Sequence, residues 1–219
     1  MSAPRSFDRL AHSYRALEFL AFGRDLERTR YAHLGWLGEC RSILVLGEGD
    51  GRCLERLVEV APLAHFDCLD LSPAMLASAA ARLTGKAAAA RVNFRQADLL
   101  TADLPVAHYD AVVTLFLLDC FTPAQAEAVM GRIATSLQPE ALWLWADFAL
   151  PTHGFARLRA RAWLALLYAF FHWQTGLPAR ALPPVERFFS SGGFEALAQA
   201  SFQLGMLRSV VWRCPAKSR

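Results

Sequence analysis

The spacing of apolar positions changes twice along the chain. Residues 6–21 and 23–38 place apolar side chains at helical intervals (Phe7, Leu10, Ala11, Tyr14, Leu17) and predict two amphipathic helices. Ser42 to Leu46 is then a short β-branched and leucine run ending in glycines, which predicts a buried strand. A helix over 51–60, a strand over 65–71, a helix opened by Ser72-Pro73, and strands at 92–96 and 110–114 follow. Thr122-Pro123 repeats the N-cap and first-turn proline signature before a helix over 123–137, and Ala141 to Phe148 predicts another strand. Residues 151–187 break the rhythm with a basic, aromatic helical segment. Gly192-Gly193 stops a short helix, and 194–203 and 206–213 predict two strands around Leu204-Gly205, although 194–201 also fits a helix.

Strands alternating with helices imply βαβ units, and therefore a mostly parallel sheet covered on both faces. Neither an internal repeat nor a linker is visible, so one domain over 1–219 is expected. It divides into an N-terminal helical cap (1–40), a core (41–150), a helical insert (151–187) and a closing strand pair (188–219).

Composition narrows the class. The chain has 219 residues, 54% of them hydrophobic, which excludes a disordered protein. Its longest apolar run, Ala162 to Phe171, is about half of what a bilayer-spanning helix needs. The first fifteen residues are polar and basic, so no secretory leader is expected and the reading is cytoplasmic. Net charge is only +3 with no long basic block, which argues against a nucleic-acid partner. Five dispersed cysteines form no CxxC pair and sit at no metal-ligand spacing, so reduced thiols and no metal are expected.

Chemistry concentrates after the strands. The first runs into Gly47-Glu48-Gly49-Asp50-Gly51, at the carboxyl edge where open α/β sheets bind ligands. A dinucleotide fits poorly there, because a GxGxxG pattern needs glycine where Arg52 stands, and Glu48 and Asp50 would repel a pyrophosphate. A cofactor with a cationic part suits this loop better. Asp70 ends the second strand, where a carboxylate can accept both hydroxyls of a ribose, and Asp98 follows the third.

With these residues in place, the sequence resembles the class I S-adenosylmethionine-dependent methyltransferases, in particular the small-molecule group typified by quinone biosynthesis. The resemblance lies in Ile43 to Gly51, Leu69 to Leu76, Gln96 to Leu99 and Tyr109 to Thr114, and covers about 40–150. It implies a Rossmann-like, doubly wound seven-stranded sheet, mostly parallel with an antiparallel C-terminal strand, carrying N-terminal helices and a helical insert before the last strands. It also implies S-adenosylmethionine as cofactor, with Gly47, Glu48, Gly49 and Gly51 around the methionine part and Asp70 on the ribose. Leu71, Ser72 and Met75 would then lie beside the adenine, Asp98 and Leu99 on its edge, and Leu115 and Phe116 near the sulfonium. The entry segment Ser6 to Tyr14 is similar to that of the same group, in which a tyrosine at the place of Tyr14 closes over the cofactor; a core aromatic is the alternative. Family members usually carry an acidic residue where Val45 stands, so Glu48 or Asp50 would have to supply that charge.

The acceptor is less determined. Thr114 to Leu118 lacks the Asn/Asp-Pro-Pro-aromatic motif that grips a flipped base, and no tyrosine has lysine four residues on, as a short-chain dehydrogenase needs. In-line transfer from a sulfonium does not require a base. Asp119, His33, His153 and His172 are the candidates for one, but Asp119 also fits as helix-cap charge and lone histidines are more often structural. The insert, with Trp163, Phe171 and His172 as pocket candidates, suits a small apolar or aromatic acceptor. Arg157, Arg159 and Arg161 ahead of an apolar run also fit a membrane-surface helix serving a lipid-like acceptor, or a helix packed on the sheet or in a homodimer. A non-catalytic protein that binds S-adenosylmethionine or S-adenosylhomocysteine is the remaining alternative.

Overall fold

The computed structural model describes residues 22–175, 179 and 181–216. Tyr14 and the helix expected over 6–21 lie outside them. The strands are β1 (Ser42–Leu46), β2 (His65–Asp70), β3 (Val92–Gln96), β4 (Tyr109–Leu115), β5 (Leu137–Phe148), β6 (Glu195–Phe202) and β7 (Leu207–Arg213). The helices are α1 (Asp25–Tyr31), α2 (Arg52–Val60), α3 (Pro73–Leu83), α4 (Pro123–Ser136), α5 (Gly154–Thr175) and α6 (Val185–Ser191). One sheet runs in the order β3-β2-β1-β4-β5-β7-β6. β7 is antiparallel to both β5 and β6, and the pairs from β3 through β5 are parallel.

Alternation in the strands divides the core. Ile43 and Val45 of β1 join Val113 and Leu144 in a cluster under α2 and α3. Leu44 and Leu46 face the opposite side with Val112, Trp143 and Trp145, under α4 and α6. A third cluster, with Phe22, Leu26, Met206 and Leu207, is closed by Ala160 and Leu164 of α5. The indole of Trp143, wholly buried, donates to Thr114 Oγ1 at 2.8 Å, so its polar atom costs little in the apolar layer.

Local signals set several boundaries. Ser72 Oγ accepts from the Met75 N–H, and Thr122 with Gln125 forms a reciprocal capping box, each with proline in the first turn. Differences from the sequence expectation have local causes. The helix expected over 23–38 stops at Tyr31 and continues, after His33 leaves the helical region at φ −130°, as a 3₁₀ turn over Leu34–Leu37. β5 starts at Leu137 rather than Ala141, because the chain passes Glu140 at φ 64° with a register shift against β4, so Gln138-Pro-Glu140 is an irregular strand instead of a turn. Of residues 194–203, Glu195–Phe202 form strand β6 rather than a helix, and Gln203–Gly205 form a 3₁₀ turn after it.

Candidate active site

Strand order reverses between β1 and β4, with β2 and β3 on one side and β5 on the other, and ligands of such sheets sit outside the carboxyl ends at that point. The glycine loop leaves β1 there. Gly49 sits at φ 70°, and a Cβ built on it would meet nothing within 4 Å, so the loop is open above its middle. Gly51 at φ 85° has the opposite constraint: its Cβ would lie 2.5 Å from the Ala79 Cα, so glycine lets α2 and α3 touch behind the loop. Gly47 faces Leu117 at the end of β4, which closes the crevice from the other side.

Asp70 stands beside this opening. Its carboxylate accepts from the Gly49 N–H at 3.3 Å and the Ser72 N–H at 2.9 Å. Burial raises its pKa, and those amides together with that of Leu71 pull it back. Leu71, 56% exposed, leaves an apolar surface next to it, flanked by Ser72 and the half-buried Met75. Asp98 accepts from the Leu100 N–H at 2.9 Å while Leu99 is buried in the core behind it. An open glycine cradle, a carboxylate at its rim and an apolar shelf fit a nucleoside carrying a cationic amino-acid tail.

The two loop carboxylates are otherwise engaged. Glu48 turns back to the start of α2 and accepts from the Cys53 and Leu54 N–H groups, both at 2.8 Å. Burial pushes its carboxyl up to about 7 against those two bonds and the charge of Arg30. Asp50 pairs with Arg52 at 3.1 Å and Arg82 at 3.2 Å. Neither takes the outward place expected of the missing acid at Val45. The sequence reading missed Arg30 of α1, whose guanidinium lies 5.0 Å from the Phe116 ring centre. Phe116 follows β4 at φ 54°, a strained conformation for a bulky residue, and its ring meets Phe148 at 5.4 Å. Leu115, just before it, is buried.

The β4–β5 half holds a second missed residue. Asp147, 2% exposed, ends β5, and its Oδ2 accepts from the Asp119 N–H at 3.2 Å while Oδ1 accepts from the Phe148 N–H at 2.8 Å. A carboxyl–carboxyl hydrogen bond joins Asp119 and Asp147, and burial raises both pKa values. Two like charges in contact inside an apolar wall oppose each other's ionisation, so the pair holds protons more tightly than a solvated carboxyl does. The Cys120 thiol lies against Asp119 Oδ1 at 3.7 Å, and burial with the carboxylates of Asp119, Asp147 and Asp70 raises its pKa. Tyr168 of α5 reaches over and donates to the Asp119 carbonyl at 3.4 Å. A carboxylate closing an otherwise apolar strand, Trp143 to Asp147, was the available sequence signal.

The remaining candidates are dispersed. His33 is bonded to the Ser209 backbone in β7; burial lowers its pKa, and Nε2 has no partner among the described residues. His153 is exposed and bonded to Thr152. Trp163 packs on Phe22 with ring centres 6.0 Å apart, His172 is exposed on α5, and the Phe171 side chain lies outside the described residues. Recesses of about 370 and 460 Å³ lie away from the crevice, the first at the amino ends of β1 and β2, the second between α1 and α2. No group of three metal-type ligands occurs among the described residues.

Residues 43–140 match the family described as "Methyltransferase domain". Over that span, a little under half of the chain, the sequence is similar to methyltransferase domains. No curated protein matches the chain. Among solved structures, it is similar to an O-methyltransferase family protein from Burkholderia thailandensis, at 17% identity and TM-score 0.70 over 96% of this chain and 63% of that one. The chain thus spans under two thirds of that relative's length. It is also similar to the N-methyltransferase NodS from Bradyrhizobium japonicum, solved with S-adenosylhomocysteine, at 16% identity and TM-score 0.63 over 87% and 88% of the two chains. A putative methyltransferase from Haloferax volcanii, in complex with the activator Trm112, matches at 15% identity and TM-score 0.70 over 98% and 100%. At these identities the similarity carries the fold, the seven-stranded sheet with its antiparallel β7, and leaves the acceptor open.

Proposed function

We propose that this methyltransferase transfers the methyl group of S-adenosylmethionine to a hydroxyl or amine of a small, largely apolar acceptor, and that Asp119 with Asp147 takes up the proton released. The carrying observation is the buried carboxyl pair at the ends of β4 and β5. On this reading Asp70 holds the ribose hydroxyls, Leu71, Ser72 and Met75 flank the adenine, and Asp98 and Leu99 meet its edge. Gly47, Gly49 and Gly51 admit the methionine part, Glu48 fixes the loop to α2, and Arg30 stands near its carboxylate. The sulfonium supplies an activated methyl group with a neutral leaving sulfide. The chain's own contribution is alignment of the nucleophile, exclusion of water by Phe116, Phe148 and Tyr168, and a proton acceptor. Asp119 is the acceptor, and Tyr168 positions its backbone. Membership of the cytoplasm belongs to the same proposal, as does Trp163 shaping the acceptor side from behind Phe22.

A turnover screen over phenols, quinols, amines and thiols, read as S-adenosylhomocysteine release, tests this. The expected result is methylation of a hydroxyl or amine, with a rate that rises through about pH 6 in the wild type and loses that rise in Asp119→Asn. Methylation of a thiol or carbon alone, or a pH profile unchanged in Asp119→Asn, overturns it.

A further inference from the structure

Helix α5 is apolar on two opposite faces. One face packs Ala160 and Leu164 into the third core cluster, with Trp163 and Leu167 beside them. The other carries Phe155, Leu158, Ala162, Ala165, Leu166 and Ala169, all exposed, with Phe155 at 75% and Leu158 at 68%. Steps of three and four residues line these up as one stripe along the 22-residue helix. A helix apolar all round is a buried helix, and soluble monomers rarely leave a stripe of this length open.

Three observations say what covers it. First, α5 holds Arg157, Arg159 and Arg161 and not one acidic residue. Arg157 donates to the Pro151 and Thr152 carbonyls and Arg159 to Gln203, so their partners are neutral and leave both charges uncompensated. Second, arginines in the opening turns of a helix oppose its dipole, which favours carboxylates there. They weaken the helix, so an outside anion explains them better than stability does. Third, the β6–β7 tip that Arg159 holds against α5 presents Leu204 at φ 58° and 65% exposed, after Gln203 at φ 52°. A leucine held in left-handed backbone only to face water is a conformational cost without an intramolecular return. A second copy of the chain would bring six arginines together with no counter-charge on the helix. A lipid surface with anionic headgroups satisfies all three, with the stripe and Leu204 among the acyl chains and the arginines at headgroup level.

We propose that the outer face of α5, with the Leu204 tip, docks this methyltransferase on an anionic lipid surface. No helix among the described residues is long and apolar enough to cross a membrane, so the contact is interfacial. Tyr168 extends from the same helix to the Asp119 carbonyl, which places the docking face one helix thickness from the carboxyl pair.

Flotation of the full chain with phosphatidylcholine vesicles, with and without phosphatidylglycerol, tests this and needs no acceptor, so its result is separate from the turnover screen. Binding is expected only with phosphatidylglycerol and should fall with added salt. Phe155→Ser/Leu158→Ser/Leu166→Ser should abolish it, and Arg161→Gln should weaken it about fivefold. Leu204→Gly, which relieves the strained φ and so keeps the fold, should weaken it several-fold. Absence of binding to phosphatidylglycerol vesicles, or wild-type binding by the triple variant, overturns the proposal. So does conversion of a wild-type dimer to monomer by the triple variant, which would assign the stripe to a second copy, or a lower melting temperature in that variant, which would show that the chain itself covers it.

Discussion

The two halves of the crevice are built by different means. On the β1–β2–β3 side the polar surface is largely backbone: left-handed glycines and amides around Asp70 and Ser72, with the carboxylates of Asp70 and Asp98 at the strand ends. On the β4–β5 side it is side chain: two buried carboxyls, a thiol, a tyrosine and a strained phenylalanine, all set in an apolar wall. A backbone site is fixed by the fold and suits a constant ligand, the cofactor. A side-chain site can change without altering the sheet and suits the variable ligand, the acceptor. On the proposed function, the first half binds the cofactor and the second takes up the proton.

The largest expected effect breaks the second half alone. Asp119→Asn and Asp147→Asn should each lower kcat by about 10²–10⁴, the usual range for losing general-base catalysis, and the double variant should lose little more. Additive losses would mean that the carboxyls act separately. Next, Gly51→Ala should break the first half by strain, since its Cβ would lie 2.5 Å from the Ala79 backbone at φ 85°. A stability loss of about 2–3 kcal/mol in urea denaturation is expected.

A third effect sharpens the contrast through pH. Asp119 and Asp147 bind protons more tightly folded than unfolded, because burial raises both pKa values, Asp119 to about 6. The native state therefore holds extra protons, and stability falls as pH rises from the unfolded carboxyl range through about 6. The double variant Asp119→Asn/Asp147→Asn, which removes both raised carboxyls, should lose that slope in paired melts between pH 4 and 8. An unchanged slope would contradict the raised carboxyls. The smallest effect lies outside both halves: Thr122→Ala, which removes the α4 capping box, should cost about 1 kcal/mol and leave kcat unaltered.

The same division explains what the sequence made legible. β1 and β3 were expected at their observed bounds, and both proline-preceding caps were placed correctly, because each is specified by a few consecutive residues. The glycine loop and Asp70 are likewise local to strand ends. Asp147 was missed because one acid at the end of an apolar strand gains meaning only through the β4–β5 register that brings Asp119, 28 residues away, onto it. Arg30 was missed for the same reason, since α1 packs across the sheet from a segment with no motif. Glu48 was placed around the methionine part from its position in the loop, whereas the direction of its carboxylate, onto the two amides at the start of α2, is set by that helix. Residues 151–187 were expected to be helical, but which face of α5 is covered depends on the third cluster, which no local pattern encodes.

Isothermal titration of S-adenosylhomocysteine into the wild type, Asp70→Ala and Asp147→Asn tests the division most directly, since it needs no acceptor. Asp70→Ala should weaken binding at least about 100-fold, the loss of a charged partner to two hydroxyls, while Asp147→Asn should bind within about twofold of the wild type. Unchanged binding in Asp70→Ala, or a comparable loss in Asp147→Asn, would contradict the assignment of cofactor to one half of the crevice and proton transfer to the other.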